Sequence, residues 1–249
     1  MRYDPHKHHL APFKGEGILL VDKPATWTSF DVVNFIRSRF NVPKVGHCGT
    51  LDPAATGLLV LVLGRYTRVS SAFSGENKTY QATVRIGVAT DTFDLDGEVI
   101  STCDTAGISD GTLREAVLSF EGESEQLPPM YSAVRVGGKK LYELARKGET
   151  IEREARKIYI SSIEILRCEV PECEFILDCS KGTYVRTLCD DIGKKLAVGG
   201  VMKSLRRLKS GKFSLDAAVT VDQLKEMDQE KLNEQLLTAD LELLKGSVS

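Results

Sequence analysis

Long apolar runs are missing from this 249-residue sequence: none approaches the roughly 18 residues that a membrane-spanning helix needs. The opening residues, Met1-Arg2-Tyr3-Asp4-Pro5-His6, lack the apolar core of a secretory signal, so the sequence reads as that of a soluble, cytoplasmic protein with no membrane association. Six cysteines are present (Cys48, Cys103, Cys168, Cys173, Cys179 and Cys189), but no two form a Cys-x-x-Cys pair, which argues against a zinc site. In such a compartment disulfides are not expected. Histidine is scarce. His6, His8 and His9 fall in a polar N-terminal stretch that reads as a solvated segment, and only His47 lies in a motif. Also absent are the Gly-x-x-x-x-Gly-Lys-Ser/Thr phosphate loop, the Gly-x-Gly-x-x-Gly fingerprint and the Gly-x-Ser-x-Gly elbow. Nucleotide cofactors and hydrolase chemistry lose their usual support, and neither a cofactor nor a metal is expected.

An overall basic excess is lacking too, since the net charge is -2. Its distribution is uneven. From Phe213 onward eight acids face three lysines, which leaves the first 212 residues at +3. Within them Lys203, Arg206, Arg207, Lys209 and Lys212 form a run with no acid, a candidate strip for phosphate contact. From charge alone a solvated basic face accounts for it better.

What is present is a chain with a core: the hydrophobic fraction is 42%. Gly17 to Val21 is a short apolar run stopped by Asp22-Lys23-Pro24, which predicts a buried strand ending in a turn. After it, Thr28 or Ser29 offers an N-cap, and Phe30, Val33, Ile36 and Phe40 recur at the spacing of one helical face. Gly57 to Leu63 predicts a second buried strand. Lys78 to Ile86 alternates like a strand, and with the acidic turn Asp91 to Gly97 and the short strand beyond it suggests a hairpin. Helices are expected over Leu113–Phe120, Leu141–Lys147 and Tyr184–Leu196, with paired strands at Lys157–Leu166 and Glu174–Cys179. The irregular alternation of strands and helices favours α+β with a mixed, mostly antiparallel sheet and flanking helices. Three segments are expected: a tail over 1–16, one principal domain over 17–213, and a short acidic helical segment over 214–249, whose apolar positions are Leu224, Met227, Leu232, Leu236 and Leu237.

The remaining chemical candidate is a carboxylate in a loop. Asp52 stands between Leu51 and Pro53 in a stretch holding Gly46, Gly49 and Gly57, so its backbone is turn-like and open to close approach. An Asp-Pro pair is also an ordinary turn, and local pattern alone favours that reading. His47 and Cys48 are adjacent, yet a nucleophile and base must converge in space, which sequence neighbours rarely do. Cys48 therefore reads as packing.

The stretch Gly46-His47-Cys48-Gly49-Thr50-Leu51-Asp52-Pro53-Ala54-Ala55-Thr56-Gly57-Leu58-Leu59 closely resembles the active-site motif of the TruB family of tRNA pseudouridine synthases. Five further blocks follow the family's order: Val21-Asp22-Lys23-Pro24 with Thr28-Ser29, Lys78-Thr79-Tyr80, Pro129-Met130-Tyr131-Ser132-Ala133, Lys181-Gly182-Thr183-Tyr184-Val185-Arg186-Thr187-Leu188, and Leu205-Arg206-Arg207. Together they span Gly17 to about Phe213.

The resemblance implies the pseudouridine synthase fold with a central RNA-binding cleft, and isomerisation of the T-loop uridine of tRNA (uridine 55) to pseudouridine. It assigns Asp52 as the nucleophile, Arg186 as its ionic partner and Tyr80 as the aromatic residue that stacks on the target base. Tyr184 and Leu205 match positions that line the uracil pocket, and His47 matches the residue that fills the space vacated by the flipped base. Lys23, Lys139, Lys140, Arg206 and Arg207 are candidates for contact with the RNA backbone. The implied partner is the T-arm of tRNA, with no obligate protein partner and a monomeric state. Only about 36 residues follow Phe213, too few for the RNA-binding extension of the PUA type common in bacterial members. Rival readings are a relative acting on ribosomal RNA, including guide-dependent synthases, and a catalytically idle RNA-binding module. The joint presence of Asp52, Tyr80 and Arg186 argues against the second.

Overall fold

The structure is a computed structural model, and residues 10–132, 134–145, 148–149 and 151–239 are described. The chain begins β1 (Gly17–Lys23), α1 (Ser29–Arg39), β2 (Val45–His47), β3 (Thr56–Leu63), α2 (Ser70–Ser74) and β4 (Lys78–Ile86). It goes on through β5 (Val88–Thr90), β6 (Val99–Thr102), α3 (Asp110–Leu118), β7 (Gly122–Gln126), β8 (Arg135–Val136), β9 (Lys139–Lys140) and α4 (Leu141–Ala145). It ends with β10 (Arg156–Glu169), β11 (Glu172–Cys179), α5 (Val185–Lys195), β12 (Gly200–Ser210), β13 (Phe213–Ser214), β14 (Val219–Thr220), α6 (Val221–Glu226) and α7 (Gln229–Glu234). Among the described residues no helix is long and apolar enough to cross a membrane.

The chain divides into two compact units, Met1–Lys78 with Arg206–Ser249, and Thr79–Leu205. In the first, β1 lies between β14 (parallel) and β3 (antiparallel), and β3 also pairs with β2 (antiparallel) and with the end of β12 (parallel). The run Leu58–Leu63 is wholly buried, which is why it reads as continuous rather than alternating: both faces of β3 are covered. One face builds a core of Ile18, Leu20, Leu58, Val60, Val62, Cys48, Tyr66, Val69, Phe73 and Phe213. Each such side chain contributes about 1.5–3 kcal/mol by leaving water. Cys48, read as packing, is fully buried there.

Helix α1 starts with a capping box, Thr28 accepting from the Asp31 amide while Asp31 accepts from the Thr28 amide. Its buried positions are Ser29, Val32, Val33 and Ile36, and Phe30 is 60% exposed. Spacing alone puts Phe30 on the inner face; a buried serine, bonded to the Asp52 loop, occupies that side of the first turn instead. Beyond β14 the acidic stretch forms two short helices that bury Leu224 and Leu232, and Leu237 exchanges two backbone hydrogen bonds with Ile18 (2.8 and 2.9 Å).

In the second unit β10 pairs antiparallel with both β11 and β7, and β4 and the start of β12 belong to the same sheet. Strand β11 alternates strictly, with Cys173, Phe175, Leu177 and Cys179 turned to the core. Helices α3 and α5 cover the sheet with Leu113, Ala116, Val117, Leu188, Cys189 and Ile192. The expected hairpin exists, but its strands are β5 and β6 rather than β4 and β6. The expected helix over Leu141–Lys147 is seen as Leu141–Ala145; Lys147, like Ala133, lies outside the described residues. Nothing is described of the Lys139 and Lys140 side chains, or of His6, His8 and His9.

Candidate active site

Asp52, His47, Lys23, Arg206 and Arg207 belong to the first unit, and Tyr80, Tyr184, Arg186 and Leu205 to the second. The loop between β2 and β3 carries Asp52, half-buried, and is fastened on both sides of it. The Leu51 amide donates to Ser29 Oγ (2.9 Å), and the same hydroxyl donates back to the Leu51 carbonyl (3.1 Å). Ser29 is 2% exposed. A side chain thus substitutes for a backbone partner that a loop lacks. The Pro53 carbonyl accepts from the Thr26 amide (2.9 Å) and from Lys23 Nζ (3.2 Å). Thr26 itself holds φ at +69°, an unfavourable conformation for a β-branched residue, costing about 1–3 kcal/mol.

Lys23 and Arg207, expected to face RNA, are both interior. Lys23 is fully buried, its ammonium donating to the carbonyls of Pro24 (2.9 Å), Trp27 (2.6 Å) and Pro53. Burial pushes its pKa down to about 8, against the pull of the Asp52 carboxylate, and the charge of Arg207 lowers it further. Arg207, 1% exposed, donates from Nε to the Leu58 carbonyl (2.7 Å) and from Nη2 to the Gly49 carbonyl (3.1 Å). One guanidinium therefore grips both sides of the Asp52 loop. Gly57 permits this: its φ is +96°, and a Cβ there would stand 2.4 Å from the Arg207 carbonyl oxygen. Two cations beneath the loop, each bonded to carbonyl oxygens, place positive charge behind Asp52.

Arg206 makes a two-point ion pair with Asp22, at 3.2 and 2.6 Å. The acid-free basic run is therefore not a free strip: Lys203 is bonded to Glu172 (2.7 Å), Arg206 to Asp22, and Arg207 is inside. Lys209 and Lys212 remain exposed. His47 is half-buried, its Nδ1 without a hydrogen-bond partner among the described residues. Burial and then Arg207 depress its pKa, so the imidazole is neutral at pH 7. Burial pushes the neighbouring Cys48 thiol up to about 12, which removes it as a nucleophile.

In the second unit Arg186, 5% exposed, sits in the first turn of α5. Nη1 donates to the Thr92 carbonyl (3.1 Å) and Nη2 to the Tyr131 carbonyl (2.9 Å), and Asp94 stands 3.6 Å from Nη1. Asp94 is itself fixed, accepting at Oδ1 from the Thr92 hydroxyl (2.6 Å) and the Asp96 amide (3.2 Å). Burial raises its pKa, while Thr92 and Arg186 oppose the rise. Tyr184 precedes α5 and is bracketed by the Gln126 amide, which accepts from its N–H (2.7 Å) and donates to its carbonyl (3.0 Å). Tyr80 is half-buried on β4 and Leu205 is 9% exposed on β12. Asp94 and Gln126 escape a reading of the sequence. Asp94 is there only one acid of an acidic turn, and Gln126 lies 58 residues from Tyr184 with no local pattern to mark it.

Residues 37–185 match the TruB family pseudouridylate synthase N-terminal domain, and residues 186–243 match the tRNA pseudouridylate synthase B C-terminal domain. The chain is 44% identical over 229 residues to tRNA pseudouridine synthase B of Clostridium tetani, covering 92% of this chain and 78% of that protein. It is 43% identical to the protein of the same name from Opitutus terrae, covering 89% and 92%. Among solved structures, one chain of a Cbf5-Nop10-Gar1 complex matches with a TM-score of 0.71 and 26% identity, covering 99% of this chain and 68% of its own. Another, from an H/ACA RNP bound to a substrate RNA containing 2'-deoxyuridine, matches with a TM-score of 0.63 and 28% identity; the match covers 84% of this chain and 52% of that one. With the first domain alone covering well over half of its length, the chain belongs to the TruB family of pseudouridylate synthases.

Proposed function

We propose that this protein is a tRNA pseudouridine synthase that isomerises the T-loop uridine (uridine 55) with Asp52 as its reactive carboxylate. The observation that carries the reading is the fastening of the Asp52 loop: Ser29, Thr26, Lys23 and Arg207 fix the residues on either side of it. A carboxylate so held is preorganised for chemistry rather than merely placed in a turn. The shared name of the relatives in Clostridium tetani and Opitutus terrae supports tRNA as the substrate.

The reaction breaks the bond from ribose C1′ to uracil N1, turns the base and joins C1′ to C5, with a proton leaving C5 and one arriving at N1. Its atoms balance without a cofactor. The Asp52 carboxylate either adds to the sugar or the base, or removes a sugar proton to give a glycal; all these routes require it ionised. Arg186 is the cation that the family resemblance assigns as its partner. The target base must leave its stack to be reached, and Tyr80, Tyr184 and Leu205 provide an aromatic and apolar lining for it. His47, uncharged, is suited to stack where the base had been. Arg206 is a phosphate contact only if it leaves Asp22; Lys23 and Arg207 act through the loop. The protein works as a cytoplasmic monomer, with catalysis residing in residues 17–213.

Incubation with an unmodified tRNA transcript, followed by carbodiimide mapping of the T-loop, is expected to reveal one pseudouridine; none would overturn the assignment. Asp52→Asn is expected to lose turnover while retaining tRNA affinity within about threefold. Residual turnover in that variant would remove Asp52 from its role.

A further inference from the structure

Strands β10 and β11 are joined by a two-residue turn, and Glu169 pairs with Glu172 across it. The next pair outward is Cys168 with Cys173. In an antiparallel ladder hydrogen-bonded and non-hydrogen-bonded pairs alternate, and the pair that closes a two-residue turn is hydrogen-bonded. Cys168 and Cys173 therefore occupy a non-hydrogen-bonded position, where opposing Cα atoms lie about 4.5 Å apart and side chains share one face of the sheet. That spacing is within the roughly 4.4–6.8 Å range that a disulfide spans.

We propose that Cys168 and Cys173 form an oxidisable dithiol, a modification site that a small-molecule disulfide converts to a cross-strand disulfide. The two thiols differ in access. Cys168 is partly exposed and its Sγ donates to the Asp110 carbonyl (3.5 Å), whereas Cys173 is fully buried. Cys168 is thus the attacking group. Its thiolate attacks one sulfur of the oxidant, forming a mixed disulfide and expelling one small thiolate. Cys173, after giving its proton to solvent, attacks Cys168 Sγ, closes the protein disulfide and expels the second. Two protein thiols are oxidised, and one small disulfide is reduced to two thiols.

Burial raises the pKa of both thiols, so at neutral pH both rest protonated and their exchange with a disulfide speeds up as pH rises. Oxidation also withdraws the Cys168 hydrogen from the Asp110 carbonyl at the start of α3. The hairpin turn is held at the same place, since the Val170 amide donates to Asp110 Oδ1 (2.8 Å). The modification therefore acts where the hairpin docks on α3.

The test is to equilibrate the native chain with oxidised glutathione, trap free thiols with N-ethylmaleimide and weigh the intact protein. Trapped thiols are expected to fall from six to four, with a loss of two hydrogens. Digestion after Glu169 and Glu172 is expected to release peptides linked through Cys168 and Cys173. Cys168→Ser, at the more exposed position, is expected to fold normally by circular dichroism and to form no intramolecular disulfide. Six free thiols after oxidation, a linkage to Cys179 or exposed Cys103, or a disulfide persisting in Cys168→Ser would each overturn the proposal. A urea-unfolded control is expected to show mixed linkages, which separates positioning by the sheet from proximity in sequence.

Discussion

At the scale of single residues, Ser29 acts on Asp52 without touching substrate. Its hydroxyl satisfies both the amide and the carbonyl of Leu51, the residue immediately before the carboxylate. Ser29→Ala leaves these two buried groups unpaired, a penalty of about 1–3 kcal/mol each. The loop can escape that penalty only by shifting, which misplaces Asp52. The expected outcome is a kcat at least about tenfold lower with KM for tRNA little changed, and partial recovery in Ser29→Thr. Equal changes in both parameters, or a loss of stability with kcat intact, would make Ser29 a packing residue only. Asp94 stands in the same relation to Arg186, tied by its own hydrogen bonds and set against the guanidinium. Neither residue is conspicuous in the sequence. A serine after a threonine looks like a spare helix cap, and its inward turn shows only when Phe30 is found outside.

At the scale of elements, the join of β12 to β3 sets the loop. Gly57 begins β3's buried run at a φ of +96°, and a Cβ there would also stand 2.7 Å from the Arg207 amide nitrogen. Gly57→Ala combines an unfavourable backbone conformation with overpacking against another strand's backbone. About 2–5 kcal/mol of stability is expected to be lost, seen as a lower urea midpoint at unchanged m. An alanine variant as stable as the parent would show that the strands can part without cost. The elements themselves are largely readable from sequence. β1 and β3 announce themselves as short apolar runs, and α5 by its periodicity. Partnership is not readable: sequence nearness offers β4 for the hairpin that β5 and β6 make, because adjacent strands are the default partners. Arg207 misleads for a related reason. A run of basic residues suggests a surface, yet β12 passes beside β3, where carbonyl oxygens at Leu58 and Gly49 take up a buried charge.

For the whole molecule, the question is where affinity for a polyanion comes from in a chain of net charge -2. Of the five cations in the basic run, Lys203 and Arg206 are ion-paired and Arg207 is buried, which leaves Lys209 and Lys212 exposed with no ion pair among the described residues. Replacing both by alanine is expected to weaken tRNA binding and reduce the slope of log K against log salt by about one for each phosphate that a lysine neutralises. An unchanged slope would place the phosphate-binding surface elsewhere. The tRNA-level function is legible in the sequence because the motif blocks span most of the chain in order. The docking surface is not, because a linear run of charges does not distinguish a cation facing water from one facing a carbonyl.

The grip of Arg207 on the Asp52 loop spans 149 residues to Leu58 and 158 to Gly49. A ribosome adds about 5–20 residues per second, so the loop emerges roughly 8–30 seconds before the side chain that fixes it. For that interval the growing polypeptide carries Asp52 with Ser29, Thr26 and Lys23 already made but without Arg207. Until Arg207 is in place the Asp52 carboxylate lacks part of the support on which the proposed reaction rests, so a nascent chain stalled short of Arg207 beside the cell's abundant tRNA is expected to be inert.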